Sequence, residues 1–229
     1  MRGRSAIARK CSGVEMCTCL HEEMKIISVL SQKGGAGKTT LVVHLAVAAL
    51  IDGKSTAVID LDAQANAAEW GDSRELDKPA VTSAQATRLP KILEAAKNAS
   101  ADLVIIDTPA RSESTALAAA KCADLVLIPC RPSVFDLQAI RMTADLTKLV
   151  NVPTRVVINA AQSRGTRADE AQQALTSLGL EVLPQRLGVR NAFSDAIGLG
   201  QSAQEYEPKG KAAEEFANLY KIICSHANM

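Results

Sequence analysis

The chain has 229 residues, with 26 Lys and Arg against 25 Asp and Glu and a net charge of +1, so it is neither a globally basic nucleic-acid coat nor an acidic disordered tail. Hydrophobic residues make up 47% and aromatic residues only 3%, which leaves the core to aliphatic side chains and alanine. No run reaches the roughly 18 apolar residues of a membrane helix, and six scattered cysteines form no disulfide framework; the expectation is a soluble, cytoplasmic chain with reduced thiols.

Met1 to Glu23 stand apart. They carry Arg2, Arg4, Arg9 and Lys10 together with Cys11, Cys17 and Cys19, and show neither helical nor strand periodicity. Cys17, Cys19 and His21 are zinc-type donors, but their spacing matches no zinc knuckle and no second ligand pair follows. The expected organisation is a flexible extension over residues 1–23, which a start at Met24 would remove, followed by one domain over residues 24–229.

From Lys25 onward, short β-branched runs alternate with longer amphipathic stretches. Strands are predicted at Ile26–Leu30, Thr56–Ile59, Leu103–Ile106, Leu125–Ile128 and Arg155–Ile158, with a weaker one at Glu181–Leu183. Helices are predicted at Lys38–Ile51, Leu89–Ala99, Ser114–Cys122, Val134–Leu149, Thr166–Leu178 and Lys211–Cys224, the last placing Phe216, Leu219, Tyr220 and Ile223 on one face. This alternation implies an α/β fold, a doubly wound and mostly parallel sheet with helices on both faces. Ligands of such sheets sit at the carboxyl ends of the strands, so the chemistry is expected after Leu30, Ile59, Ile106, Ile128 and Ile158.

After the first strand comes Gln32-Lys33-Gly34-Gly35-Ala36-Gly37-Lys38-Thr39-Thr40, leading into a helix. Glycines let the backbone wrap an anion, the helix N-terminus adds positive potential, Lys38 reaches the β- and γ-phosphates and the Thr39 hydroxyl suits Mg²⁺. Gln32 takes the place of the first glycine of the standard loop, and Lys33 is an added lysine. The second strand ends Asp60-Leu61-Asp62-Ala63-Gln64-Ala65-Asn66, and alternation puts Asp60 and Asp62 on one side of the chain. Two such carboxylates need a cation, a lysine or a water between them. The third strand ends at Asp107, the Walker B position, before Thr108-Pro109-Ala110. The fourth gives Pro129-Cys130-Arg131-Pro132-Ser133-Val134-Phe135-Asp136, where Ser133 and Asp136 read as a helix cap and a first-turn acid in preference to a direct part in catalysis. Asn159 follows the fifth strand.

The Lys33–Thr40 loop, the Asp-x-Asp-x-Gln-x-Asn stretch and the Pro-x-x-Pro-Ser run resemble the ParA/MinD family of deviant Walker A ATPases, closest to short plasmid ParA proteins. The resemblance covers Met24 to about Cys224. Alanines at 63 and 110 stand where that family commonly has proline, and the helix-turn-helix domain of larger ParA proteins is absent, which would leave operator repression to a partner. It implies ATP and Mg²⁺ as cofactors, Lys33, Lys38 and Asp62 as catalytic residues, and Thr39, Asp60 and Asp107 around the metal. Gly34 to Thr40 would bind phosphate and Asn159 adenine, with Pro184 to Arg190 completing the base pocket. Lys33 would reach across an ATP-bound homodimer, and Asp62 would orient the attacking water.

The implied activity is a slow ATPase for plasmid partition that binds DNA non-specifically on the nucleoid until a ParB-like partner triggers hydrolysis. Its DNA cations would be Arg164, Arg167, Arg186, Arg190, Lys209 and Lys211. Alternatives on the same scaffold are positioning of a non-DNA cargo, membrane cycling of the MinD kind, and an iron-protein-like reductase. The terminal segment has few basic residues for a membrane helix, so no membrane partner is expected. Cys122 and Cys130 lack the glycine-rich setting of a cluster-binding pair.

Overall fold

A computed structural model describes residues 23–229, without the side chains of 134–138; the Cys17, Cys19 and His21 donors and the predicted extension up to residue 22 lie outside the described residues. Six strands form one sheet: β1 (Lys25–Val29), β2 (Thr56–Asp60), β3 (Ala80–Ser83), β4 (Leu103–Asp107), β5 (Leu125–Cys130) and β6 (Thr154–Ile158). All pairings are parallel, in the order β3-β2-β4-β1-β5-β6. The register puts Val29 and Asp60 each beside Asp107, so the ends of three strands meet at one edge.

The period of two along each strand divides the core. Ile27, Val29, Leu103 and Ile105 face one side with helix α1 (Lys38–Ile51) and the C-terminal helix, whereas Val104, Ile106, Val126 and Ile128 face the other. That second side is covered by helices α3 (Leu89–Asn98), α4 (Glu113–Cys122) and α5 (Val134–Leu149), with Leu93, Ala119, Ile140 and Ala144 in contact. Helix α6 (Arg167–Ser177) follows β6 and buries Leu175 there. The C-terminal helix, α9 (Lys211–Ala227), buries Phe216, Leu219, Tyr220 and Ile223, the face its spacing predicts. Each such side chain contributes about 1.5–3 kcal/mol of burial.

Three short helices and one strand depart from the sequence-based expectation: α2 (Asn66–Asp72), α7 (Asn191–Gly198), α8 (Ala203–Tyr206) and β3. β3 is a four-residue edge strand that is mostly exposed, so it lacks an apolar run. Helix α2 starts from Ala65, whose φ of 52° and lack of a side-chain cap give no sequence signal. The segment at Glu181–Leu183 makes no strand; it follows β6 through a single bridge from Val182 to Val156.

His44, in the middle of α1, is fully buried between the rings of Phe193 and Phe216, at 5.1 and 5.3 Å. Its Nδ1 lies 2.8 Å from the Thr40 carbonyl, which makes that nitrogen the protonated one, and Nε2 is buried without a partner. Burial pushes its pKa down to about 4. The unfolded histidine takes its proton near pH 6.5, so this contribution to stability is complete above that pH and is lost as pH falls toward 4. Denaturant unfolding is expected to show a loss of about 2–3 kcal/mol between pH 7 and 4.5 that is absent from His44→Gln. Identical acid profiles for the two proteins would refute the assignment.

Candidate functional site

The turn between β1 and α1 holds Gly35 at φ 72° and Gly37 at φ 94°, values that glycine adopts without strain. A Cβ on Gly34 or Gly35 would meet open space, so these two bare the loop backbone, whereas one on Gly37 would lie 2.1 Å from Asn159 Nδ2. The loop opens on a cleft of about 400 Å³ lined by Gly34, Gly35, Gly37, Lys38, Thr39 and Thr40. Asp62, Gln64 and Asn66 enter it from the β2–α2 turn, Pro109 and Ala110 from the end of β4, and Arg131 from the end of β5. A second groove, of about 540 Å³ between α1 and α9, contains no residue of the phosphate loop.

Lys38 is buried at 8% exposure. Burial lowers its pKa, and the carboxylates of Asp107 and Asp62 pull it back up. Thr39 Oγ1 donates a 2.7 Å hydrogen bond to Asp107 Oδ2, while Asp107 Oδ1 is buried without a partner. Desolvation pushes the Asp107 carboxyl up to about 7, with the Thr39 hydroxyl acting to hold it down. An orphaned carboxylate oxygen beside a threonine hydroxyl, at the rim of a glycine cradle, is a donor set suited to Mg²⁺ on a polyphosphate.

Asp60 is placed differently from Asp62. It is fully buried, and its carboxylate accepts the Asp62 N–H at 2.9 Å through Oδ1 and the Ala67 and Ala68 N–H groups at 2.9 and 3.1 Å through Oδ2. The side chain therefore clamps the turn and caps α2 instead of lining the cleft. Asp62 does line it, with Oδ1 accepting the Gln64 N–H at 3.0 Å. Lys33 is half-buried, its N–H donating to Ser31 Oγ at 3.2 Å, and its charge acts on the Cys130 thiol, which burial raises to about 12.

Asn159 is tied to the loop. Its Nδ2 donates to the Ala36 carbonyl at 2.9 Å and its Oδ1 accepts the Ala160 N–H at 2.8 Å, so both ends of the amide meet backbone. The residue is a latch from β6 onto the phosphate loop, and only a glycine at 37 leaves room for it. Asn159→Ala is expected to lower stability by about 1–2 kcal/mol and to weaken ADP binding several-fold, read by melting and ADP titration. Unchanged ADP affinity would show that the loop keeps its shape without the latch.

The six cations read as DNA contacts separate into two groups. Arg186 is paired with Asp169 at 2.8 Å and bonded to Gln172, and Arg190 is paired with Glu215 at 2.6 Å. Arg164, Arg167, Lys209 and Lys211 are exposed and enter no ion pair among the described residues. Gln64, Asn66, Pro109, Ala110 and Arg131 carry no site role in the sequence reading, although they stand in its motifs; each lies just beyond a strand's carboxyl end, which is the available signal.

Residues 27–203 match the CobQ/CobB/MinD/ParA nucleotide binding domain. The chain belongs to this family. It is 32% identical over 203 residues to the maintenance of carboxysome distribution protein A of Gloeobacter kilaueensis, covering 87% of this chain and 92% of that protein. It is 24% identical to the sporulation initiation inhibitor protein Soj of Bacillus subtilis, over 88% of this chain and 99% of that one. Among solved structures, the septum site-determining protein MinD of Pyrococcus horikoshii in complex with Mg-ADP aligns with a TM-score of 0.70 at 21% identity, over 88% of this chain and 96% of that one. The sheet and helices are thus those of a ParA/MinD P-loop domain, and the cradle, Thr39 and Asp107 suit the phosphates of a nucleotide with Mg²⁺.

Proposed function

We propose that this chain is a partition or positioning ATPase that dimerises on ATP, binds DNA without sequence preference and lets go when a partner protein, ParB-like or cargo-bound, stimulates hydrolysis. The observation that carries the reading is the loop itself, in which Lys38 is buried at the mouth of an open glycine cradle and a second lysine, Lys33, precedes the glycine pair. Lys38 holds phosphate oxygens, Asp62 orients the attacking water, and Lys33 reaches the phosphates of the facing protomer. Bound Mg²⁺, held by Thr39 and Asp107, would neutralise phosphate charge. Turnover is slow until a partner and DNA act on the dimer.

Of the six cations considered, Arg164, Arg167, Lys209 and Lys211 are the ones available to phosphate, since Arg186 and Arg190 are occupied by acidic partners. The apolar face of α9 is buried against the core, so this helix has no second apolar face to offer a bilayer; that favours a DNA or protein track over membrane cycling. A non-DNA cargo is the second reading, favoured by similarity to the carboxysome distribution protein.

The test is DNA binding against salt without nucleotide, with ADP and with ATP, using Asp62→Ala to hold the ATP state. Binding confined to the ATP state, with affinity falling steeply as salt rises, is the expected result. Equal binding in all three states, or none in any, would overturn the DNA switch.

A further inference from the structure

We propose that Arg74 is a positioning residue for ATP hydrolysis, acting on Asp62 through helix α2. This rests on the reading of Asp62 as the residue that orients water.

Helix α2 is only seven residues long and has no side-chain cap of its own at Ala65, so its orientation comes from what grips its two ends. At the cleft end the grip is the Asp60 carboxylate, which holds the Asp62 N–H together with the second and third N–H groups of α2, those of Ala67 and Ala68. The helix and the candidate water-orienting residue therefore move as one piece. Between the ends, Gly71 is pressed against β3, since a Cβ there would lie 2.7 Å from Val81 Cβ.

At the far end the grip is Arg74. Its side chain is 2% exposed and stacks on the Trp70 ring with Cζ 4.6 Å from the centroid. Its guanidinium donates to Lys78 O at 2.9 Å, to Gly200 O at 2.9 Å and to both carboxylate oxygens of Glu205 at 2.8 and 3.0 Å. Glu205 in turn closes the capping box of α8 with Ser202. Trp70 packs on Val43 and Val47 of α1, and its Nε1 donates to Gln201 O at 3.1 Å. Backbone approaches just as closely: Gly200 has φ 66°, and a Cβ there would lie 2.5 Å from Ser73 O.

A buried cation with this many directed donors exceeds what a seven-residue helix needs to stay folded. What it fixes is the angle of α2, and hence where Asp62 stands relative to Lys38 and Thr39 across the cleft. The same contact makes α8 a place from which that angle can be altered, because Glu205 belongs to α8. Trp70 is the chain's one tryptophan, so the joint contains its own fluorescent reporter.

The experiment compares wild type, Arg74→Met, Arg74→Lys and Gly200→Ala, with Asp62→Ala in parallel. Steady-state phosphate release, Mg-ADP affinity, melting temperature and the response of Trp70 emission to nucleotide are measured on the full chain. In Arg74→Met, kcat is expected to fall about tenfold or more, with KM for ATP and ADP affinity changed less than about twofold, and the Trp70 response lost although nucleotide binds. Gly200→Ala, which forces the same joint apart with Arg74 intact, should do the same, and Arg74→Lys should lie between. Tyr220→Phe, which removes a hydrogen bond to Asp52 away from this joint, is the stability control.

Wild-type kcat in both Arg74→Met and Gly200→Ala, with Asp62→Ala inactive, would overturn the proposal. So would a matching loss of kcat in Tyr220→Phe at an equal drop in melting temperature, because the effect would then be general loosening. Full turnover in Asp62→Ala would overturn the Asp62 reading itself and this inference with it, an outcome distinct from the other two.

Discussion

Lys38→Ala is expected to abolish detectable nucleotide binding, with calorimetric titration of Mg-ADP and Mg-ATP as the measurement. The ammonium is the one Lys or Arg side chain buried in the phosphate loop, and two effects of its loss add. The phosphates lose a charge-assisted partner, worth about 1.5–3 kcal/mol, or roughly ten- to hundredfold in affinity. Asp107 and Asp62, whose charges act on Lys38 in the folded protein, are left facing incoming phosphate without the buried cation between them, with Arg131 the other cation lining the cleft. Lys38→Arg is the informative companion. Its larger planar head does not fit a site packed around a primary amine, so it should restore charge without restoring full affinity. Wild-type affinity in Lys38→Ala would place the nucleotide elsewhere than the 400 Å³ cleft.

The framework of strands and long helices was legible because a parallel sheet buried on both faces demands unbroken apolar runs. Val104, Ile105 and Ile106 form such a run, and all are fully buried. The phosphate loop was legible for a similar reason, since wrapping an anion requires glycines, and Gly35 and Gly37 take the positive φ that only those positions tolerate easily. What escaped is structure held by contacts between distant segments. No local pattern marks α2, because its cap is Asp60, five residues before Ala65 and at the end of a strand. β3 is an exposed edge with little to bury.

The same distinction runs through the site. Asp60 and Asp62 are equivalent by alternation, and only the fold separates them: one carboxylate turns inward to three N–H groups, the other lines the cleft. Asn159 was recognisable as a polar residue at a strand end, but its hold on Ala36 depends on where the loop lies in space. Likewise, six basic residues are alike in sequence, and Asp169 and Glu215 decide which of them are already neutralised. Carboxylates 17 and 25 residues away from Arg186 and Arg190 have no spacing rule that would reveal them.

Asp62→Ala is expected to cut turnover by about one hundredfold or more while leaving nucleotide affinity at or above that of wild type. Asp62 lines the cleft, and its charge reaches Lys38. Removing a negative charge from beside phosphate does not weaken binding, so an effect on rate alone is the signature of a group needed in the transition state. The substitution also deprives the Gln64 N–H of its acceptor at 3.0 Å, which by itself would disturb the turn. Asp62→Asn separates the two contributions, because an amide oxygen still accepts that N–H but carries no charge to orient water. Loss of turnover in both variants, with nucleotide bound and the fold intact by melting, would assign the rate to the carboxylate. Turnover retained in Asp62→Asn but lost in Asp62→Ala would instead make the residue a turn-former, and the catalytic carboxylate would have to be sought elsewhere in the cleft.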